Sequence, residues 1–157
     1  MCKYLQILIV MAIIVSCSVP KPLTSLPQSR EAECSESIGS SYKLVAWGFG
    51  RNNEEAEIDA LKCAVYNTMA RSTGKCASIM SNEEVMKSTD FFEDYFKNQD
   101  WKMFVENTNR GRIDPNKRLK MEDGRVKLGI DVIVRVKELE DYLVAKKLTR
   151  KKSQYGG

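Results

Sequence analysis

The sequence of 157 residues contains no histidine. Histidine is the usual general base beside serine and cysteine nucleophiles, and it is a common ligand of zinc. Its absence excludes Ser-His and Cys-His catalytic arrangements. The remaining cysteines are too widely spaced to favour a metal site. We therefore expect no catalytic residues, no metal and no cofactor, and we do not expect an enzyme.

The chain also lacks an apolar run long enough to span a membrane. The run from Leu5 to Val15 follows Lys3 and is broken soon afterwards by Pro20, whereas a spanning helix needs roughly 20 apolar residues. A basic start, a short apolar core and small residues at the exit are typical of a secretory signal. We predict that residues 1–16 form a signal peptide that is removed.

The signal ends in Ile14-Val15-Ser16-Cys17, which resembles the lipobox of bacterial lipoproteins. It predicts that Cys17 is acylated and becomes the first mature residue. Two or three acyl chains, at about 0.8 kcal/mol per buried CH₂, hold a protein on a membrane. Ser18, where a retention signal more often has Asp, favours the outer membrane and leaves the periplasmic or surface face open. The alternative is an ordinary secretion signal with an incidental cysteine.

The segment after the signal is poor in apolar residues. From Ser18 to Ser41 it carries three prolines and many serines, a composition that buries too little surface to offset its ordering entropy. We predict a lipid-attached, flexible tether over residues 17–41, a single domain over 42–148 and a basic tail over 149–157.

The positive charge is concentrated near the carboxyl terminus. The formal charge is +4, and the signal removes Lys3 from it. We interpret the basic stretch as a solvated tail, with attraction to anionic lipid or an acidic partner as the alternative. Nucleic acid is not an expected partner, because the chain is exported. The basic residues of this stretch are Lys146, Lys147, Arg150, Lys151 and Lys152.

Three cysteines besides Cys17 lie in the exported part of the chain, Cys34, Cys63 and Cys76. They allow one disulfide or none. We predict a Cys63–Cys76 pair, because a helix that ends near Arg71 could turn back through a glycine.

The first half of the predicted domain reads as a strand followed by a helix. Tyr42 to Phe49 alternates like a strand, and Asn52 with Glu55 has the spacing of a helix-capping pair. A helix is therefore expected from Asn53 to Arg71. We predict that its apolar stripe packs on the sheet, while its small-residue side admits another element or subunit. The stripe is Ile58, Leu61, Val65 and Met69, and the small side is Ala56, Ala60, Cys63, Asn67 and Ala70.

The second half predicts short helical pieces and then strands. Ser81 and Glu84 read as a cap for one broken helix or two short ones. Two strands, Trp101 to Thr108 and Lys117 to Glu122, are followed by Asp123-Gly124, a type I′ hairpin signal. Val126 to Val136 alternates throughout, and an amphipathic helix follows it. The fold class is α+β, with a small, mainly antiparallel sheet covered by one long helix, a second short or broken helix and a C-terminal helix.

Five aromatic residues are candidates for an interaction surface, with a core role as the main interpretation for the cluster at 91–101. A partner groove, or a stacking surface for a glycan, is the alternative. The candidates are Trp47, Phe49, Phe92, Tyr95 and Trp101. A dense acidic cluster, Asp90, Glu93, Asp94 and Asp100, could serve a carboxylate-based enzyme, but it is equally typical of a solvated helix face.

The segment Trp47-Gly48-Phe49-Gly50, the acidic, alanine-rich helix from Glu54 to Tyr66 and the strand Val126 to Val136 together resemble the amino-terminal domain of the flagellar-assembly protein FlgT. Small envelope lipoproteins share that domain. The resemblance implies a non-enzymatic accessory component of an envelope machine and carries no catalytic residues. The segment Phe91 to Trp101 and the loop Gly111 to Asn116 depart from that pattern.

These observations favour a lipid-anchored assembly or scaffold protein that docks onto another envelope protein or forms a homo-oligomer. A small-molecule or glycan-binding lipoprotein is the alternative function.

Overall fold

The computed structural model describes residues 25–150. Within that range the chain is α+β, as predicted from the sequence. The strands are β1 (Ala32–Ile38), β2 (Ser41–Gly50), β3 (Val105–Asn107), β4 (Arg118–Lys120) and β5 (Val126–Arg135). The α-helices are α1 (Asn53–Ala70), α2 (Asn82–Lys87), α3 (Thr89–Lys97) and α4 (Val136–Ala145), and short 3-10 turns span Asp100–Phe104 and Pro115–Lys117. None of the helices described in this range is long and apolar enough to cross a membrane.

The sheet is antiparallel and is organised around β5. Strand β2 pairs with one edge of β5 over its whole length, from Ser41 opposite Arg135 to Gly50 opposite Val126. Strands β3 and β4 both pair with the other edge of β5, and β1 extends the sheet beyond β2. Direct pairing partners point to the same face of a sheet. This register therefore decides which side chains meet.

Helix α1 covers one face of the sheet and begins where the sequence predicts. Asn52 caps it by accepting a hydrogen bond from the Glu55 backbone N–H at 2.9 Å. The predicted packing side is wrong in part, since Ile58 and Leu61 of the apolar stripe are only half-buried while Ala56 and Ala60 are fully buried. A β-carbon at Gly48 would come within 2.9 Å of the Ala60 Cα. The glycines of β2 therefore draw the small side of the helix onto the sheet.

The aromatic residues of the second half fill the core beside α1. Phe92, Tyr95 and Phe96 of α3 are buried, as is Trp101 of the following 3-10 turn. The predicted strand from Trp101 is therefore shorter, because residues 100–104 form that turn and only Val105–Asn107 pair with β5. The Trp101 indole N–H donates to the Phe96 carbonyl at 3.3 Å, which holds the turn against the end of α3.

The hairpin before β5 forms, but not with the predicted turn. A type I′ turn needs positive φ at both central residues, whereas only Gly124 of the pair has positive φ, at 82°. The Gly124 N–H donates to the Met121 carbonyl and the Met121 N–H to the Arg125 carbonyl. These bonds form a turn that ends on a left-handed glycine, which is the bulged class of hairpin loop. The predicted third strand accordingly shortens to Arg118–Lys120.

The prediction of a flexible tether over 17–41 is wrong for its later part, since residues 32–38 form β1. Backbone pairing with β2, which needs no apolar side chains, supplies the order that the composition does not predict. Upstream of β1, the Asp59 carboxylate on α1 accepts the backbone N–H groups of Gln28 and Ser29. Residues 1–24 and 151–157, with the predicted signal, Cys17 and most of the basic tail, lie outside the described residues.

The predicted Cys63–Cys76 disulfide is wrong. Cys34 of β1 is bonded to Cys76, with their Cα atoms 5.8 Å apart, and Cys63 is a free buried thiol. Cys63 points from the small side of α1 toward the segment that precedes β1, where its Sγ lies 3.3 Å from the Glu31 carbonyl oxygen. The 70–80 loop returns instead to the sheet edge, so Cys76 meets β1.

Candidate interaction face

The sheet has one face packed on α1 and a second face whose side chains remain partly exposed. Along β2 the even-numbered residues from Tyr42 to Gly50 are buried, while the odd-numbered ones are half-buried. On β5 the same alternation leaves Lys127, Asp131 and Ile133 half-buried on the second side. We call this second side the open face, defined by Val45, Trp47, Phe49, Leu119, Lys127, Gly129, Asp131 and Ile133.

Trp47 forms the centre of the open face. It pairs directly with Gly129 of β5, and a β-carbon at Gly129 would meet three indole ring atoms of Trp47 at 3.1 Å each. Three equal distances mean that the ring lies flat over the glycine. One side of the indole therefore rests on the sheet, and the partly exposed side chain presents its other side outward.

Phe49 continues the aromatic surface towards the end of β2. The Lys127 ammonium lies 5.6 Å from the Phe49 ring centroid and 5.2 Å from that of Trp47, within the range of a cation–π contact. The Arg125 guanidinium lies 5.5 Å from the Phe49 ring. Leu119 pairs opposite Lys127, so it shares this face, and it is 49% exposed. The result is an apolar centre bordered by cations.

The cations on the open face are partly compensated. Lys127 forms an ion pair with Glu31 at 2.6 Å, and Arg125 forms one with Asp123 at 2.7 Å. The Arg125 hydrogen bonds hold the pKa of Asp123 below its usual range. Both side chains of the Arg125–Asp123 pair are about half exposed, so this pair contributes little to stability. In the other pair Lys127 is mostly buried and Glu31 is exposed. Each of these paired cations also lies within cation–π range of a ring on the open face.

Asp131 anchors the loop between β3 and β4 to the open face. Its carboxylate accepts hydrogen bonds from the Lys117 ammonium at 2.8 and 2.9 Å and from the Asn109 amide at 3.1 Å. These bonds, with Lys117 as the main contributor, lower the pKa of Asp131. The Thr108 N–H and hydroxyl both donate to the Asp131 carbonyl. The loop between β3 and β4 is therefore fixed at this edge.

The structure separates the five aromatic candidates into two groups. Trp47 and Phe49 lie together on the open face, whereas Phe92, Tyr95 and Trp101 are 3%, 2% and 1% exposed in the core. The second group is therefore not an exposed docking surface, because those rings fill the space beside α1. Tyr95 stacks on Phe91 with ring centroids 5.3 Å apart, and burial raises the pKa of the Tyr95 hydroxyl.

The acidic candidates do not form a compact carboxylate site. Asp90, Glu93 and Asp94 are exposed on α3, while Asp100 accepts a hydrogen bond from the Tyr142 hydroxyl at 3.2 Å. Within residues 25–150, no group of three acidic or cysteine side chains is arranged to hold a metal ion.

Two buried polar side chains of α1 have structural roles. Asp59 accepts the N–H groups of Gln28, Ser29 and Phe49, joining the segment before β1 to the end of β2. Burial raises the pKa of Asp59 against the effect of these donors. Cys63 is fully buried, and desolvation raises its pKa to about 12. A thiol held protonated in this way is a poor nucleophile.

Several members of the open face, notably Leu119, Lys127 and Gly129, are not among the residues that the sequence marks as candidates. The alternation of β5 separates its two faces, but it does not disclose which residue of β2 each one meets. The pairing of Trp47 with Gly129 depends on long-range register. The sequence feature that points to this contact is Gly129, because a glycine inside a strand often marks close approach by another group.

No protein-family model matches the chain, and no curated protein or solved structure matches it either. The resemblance to the amino-terminal domain of FlgT therefore stays a hypothesis based on the sequence. The open face is the feature of the described residues that bears on function, and the export signal stays a prediction from the sequence.

Proposed function

We propose that this protein is a non-enzymatic, lipid-anchored component of the bacterial envelope that docks onto another envelope protein through the open face. The observation that carries the proposal is the aromatic centre of that face, formed by Trp47 and Phe49 and left partly exposed beside Leu119. Aromatic side chains supply much of the binding energy at protein interfaces. The partner is an envelope protein, with a second copy of this chain as the alternative occupant.

The construction of the open face favours protein docking. Trp47 is supported from below by Gly129, and Phe49 is bordered by the stems of Lys127 and Arg125. The rings are therefore held in place before a partner arrives, which lowers the conformational entropy lost on binding. The two rings lie on one face of β2, two residues apart, so they form one continuous surface for a protein partner.

The lipid anchor is the second part of the proposal. It rests on the lipobox-like Ile14 to Cys17 and on the short apolar run before it. By this account the protein resides at the outer membrane, with the acyl chains on Cys17 holding the domain near the lipid surface. The anchor raises the local concentration of the open face around envelope partners.

Intact-mass analysis and membrane fractionation test the anchor. The native protein should lose residues 1–16, gain the mass of its acyl chains and sediment with membranes. The Cys17→Ala variant should carry no acyl mass and leave the membrane fraction. A native protein that is soluble and unacylated would contradict the anchor, leaving a freely secreted domain.

A glycan or small-molecule ligand is the second candidate for the open face. The observation that favours it is the flat indole of Trp47, whose outward side is suited to stacking on a sugar ring. Peptidoglycan fragments are added to the protein while its tryptophan fluorescence is measured, and the Trp47→Phe variant is the control. This titration tests whether the open face binds a glycan. A saturable change that disappears in Trp47→Phe would favour the glycan ligand over protein docking.

A further inference from the structure

A second feature of the molecule is a cationic pocket beside α1. It lies between α1, the end of α3 and the 3-10 turn at residues 100–104, and its volume is about 350 Å³. We call it the lysine pocket. Its principal lining residues are Lys62, Lys97 and Lys102 with Ile58, Phe96 and Trp101. It is separate from the open face, since none of its lining residues belongs to the sheet.

The lining of the lysine pocket carries an excess of positive charge. None of its three lysines forms an ion pair with another residue of the part that the structure describes, and its lining contains no carboxylate. Partial burial lowers the pKa of Lys62, and the nearby charge of Lys102 lowers it further while Asp59 opposes the shift. An anion that entered the pocket would relieve this repulsion.

Two acidic groups close to the lysine pocket have hydrogen-bond partners of their own. The Asp59 carboxylate accepts three backbone N–H groups, from Gln28, Ser29 and Phe49. Asp100, next to the pocket residue Gln99, accepts the hydroxyl of Tyr142. The lining itself therefore holds three lysines and no carboxylate, while Asp59 acts on Lys62 from outside it.

The chemistry of the pocket is that of a site for an anionic amphiphile. Lysine ammonium groups bind phosphate as compact point charges, while Ile58, Phe96 and Trp101 give the same pocket an apolar floor. Gln99 at its rim has a φ of 66°. This left-handed residue follows Asn98, the C-cap of α3, and ends that helix at the rim of the pocket. A phosphate group joined to an apolar portion fits both parts.

The pocket also lies where the chain arrives from its predicted anchor. Ser25, the first described residue, lines it, and the Ser25 carbonyl accepts a hydrogen bond from Lys62 Nζ at 3.0 Å. Cys17 lies eight residues upstream, and eight extended residues span at most about 29 Å. A domain anchored at Cys17 thus keeps this pocket within that distance of the bilayer.

We propose that the lysine pocket binds the phosphate headgroup of an anionic phospholipid in the membrane to which the chain is anchored. This inference rests on the proposed lipid anchor for the source of the ligand. The tether would keep the domain near the bilayer. Binding in the pocket would then hold one defined side of the domain against the lipid.

Vesicle binding by a chain without acyl groups tests the pocket. The protein is residues 17–157 with Cys17→Ser, and the vesicles are phosphatidylcholine alone or mixed with phosphatidylglycerol. The pocket variant is Lys62→Gln with Lys102→Gln. The matched control, Lys151→Gln with Lys152→Gln, removes the same charge from the basic tail. Circular dichroism checks that each variant is folded, and inorganic phosphate is titrated in a parallel arm.

We expect association with the phosphatidylglycerol vesicles to fall about tenfold or more in the pocket variant, and by less than about threefold in the tail control. Equal losses in both variants, or no loss in the pocket variant, would overturn the proposal. Pocket-dependent binding of inorganic phosphate without vesicle association would assign the site to a soluble phosphate and would overturn the lipid source. Because no acyl chain is present, failure here is distinguishable from failure of the Cys17 anchor.

Discussion

Gly48 of β2 lies so close to Ala60 of α1 that a β-carbon on the glycine would come within 2.9 Å of the alanine Cα. The helix backbone cannot withdraw without losing the contact of its small side with the sheet. We therefore predict that Gly48→Ala lowers the free energy of unfolding by roughly 2 to 4 kcal/mol. Urea denaturation measures the change.

Gly39 provides the control for this substitution. Its φ is 54° and nothing lies within 4 Å of an added β-carbon, so Gly39→Ala should cost only about 1 kcal/mol of backbone strain. If the two alanine variants were equally stable, the close packing of α1 on Gly48 would be contradicted.

The disulfide between Cys34 and Cys76 ties β1 to the loop after α1. Replacing Cys34 by Ser should lower the free energy of unfolding by about 2 to 4 kcal/mol, because the unfolded chain loses its cross-link. Denaturation under non-reducing conditions measures this, and peptide mapping identifies the pair. A fragment joining Cys63 to Cys76 would show that the assignment is incorrect.

The Cys63 thiol is predicted to be inert in the folded protein. Burial raises its pKa to about 12, so the reactive thiolate is nearly absent at pH 8. A thiol reagent should leave Cys63 unmodified in the native protein and should modify it once denaturant has unfolded the chain. Rapid labelling of the native protein at pH 8 would be inconsistent with the buried position of Cys63.

Asp131 should make stability depend on pH. Its folded pKa is lowered mainly by Lys117, so its contribution is present above the unfolded value near 4 and is lost as pH falls through the folded pKa. We expect Asp131→Asn to cost about 1 kcal/mol at pH 7 and progressively less as pH falls through the lowered folded pKa.

Thermal or urea denaturation across that pH range checks the Asp131 prediction. Glu122→Gln is the control, because Glu122 is an exposed residue of the hairpin loop and forms no ion pair with the other described residues. A loss at Asp131→Asn that is the same at every pH would exclude the ion pair with Lys117 as its cause.

Sequence patterns correctly predicted the elements that are stabilised by interactions between nearby residues. The cap at Asn52 and the alternation of β5 are readable from adjacent residues, and both appear in the structure. Strand β1 was missed because its polar sequence has no apolar alternation, and it is ordered by pairing with β2. The Cys34–Cys76 bond follows from the same long-range pairing.

The sequence predicts only part of the open face, because a local pattern does not specify which distant elements come into contact. Trp47 and Phe49 belong to the alternating β2, where odd and even residues separate onto two faces. The helical aromatics could not be assigned to core or surface from composition alone. Their burial depends on where α3 and the 3-10 turn settle against α1.

The central claim is that the open face docks onto an envelope protein. The most direct measurement places a photo-crosslinking amino acid at Leu119, which is 49% exposed on that face, and irradiates living cells. The control position is Met86 on α2, which is 79% exposed away from the sheet. The account predicts a discrete crosslinked species from position 119, containing an envelope protein or a second copy of this chain, and none from position 86. Absence of crosslinks at 119, or the same pattern at both positions, would contradict it.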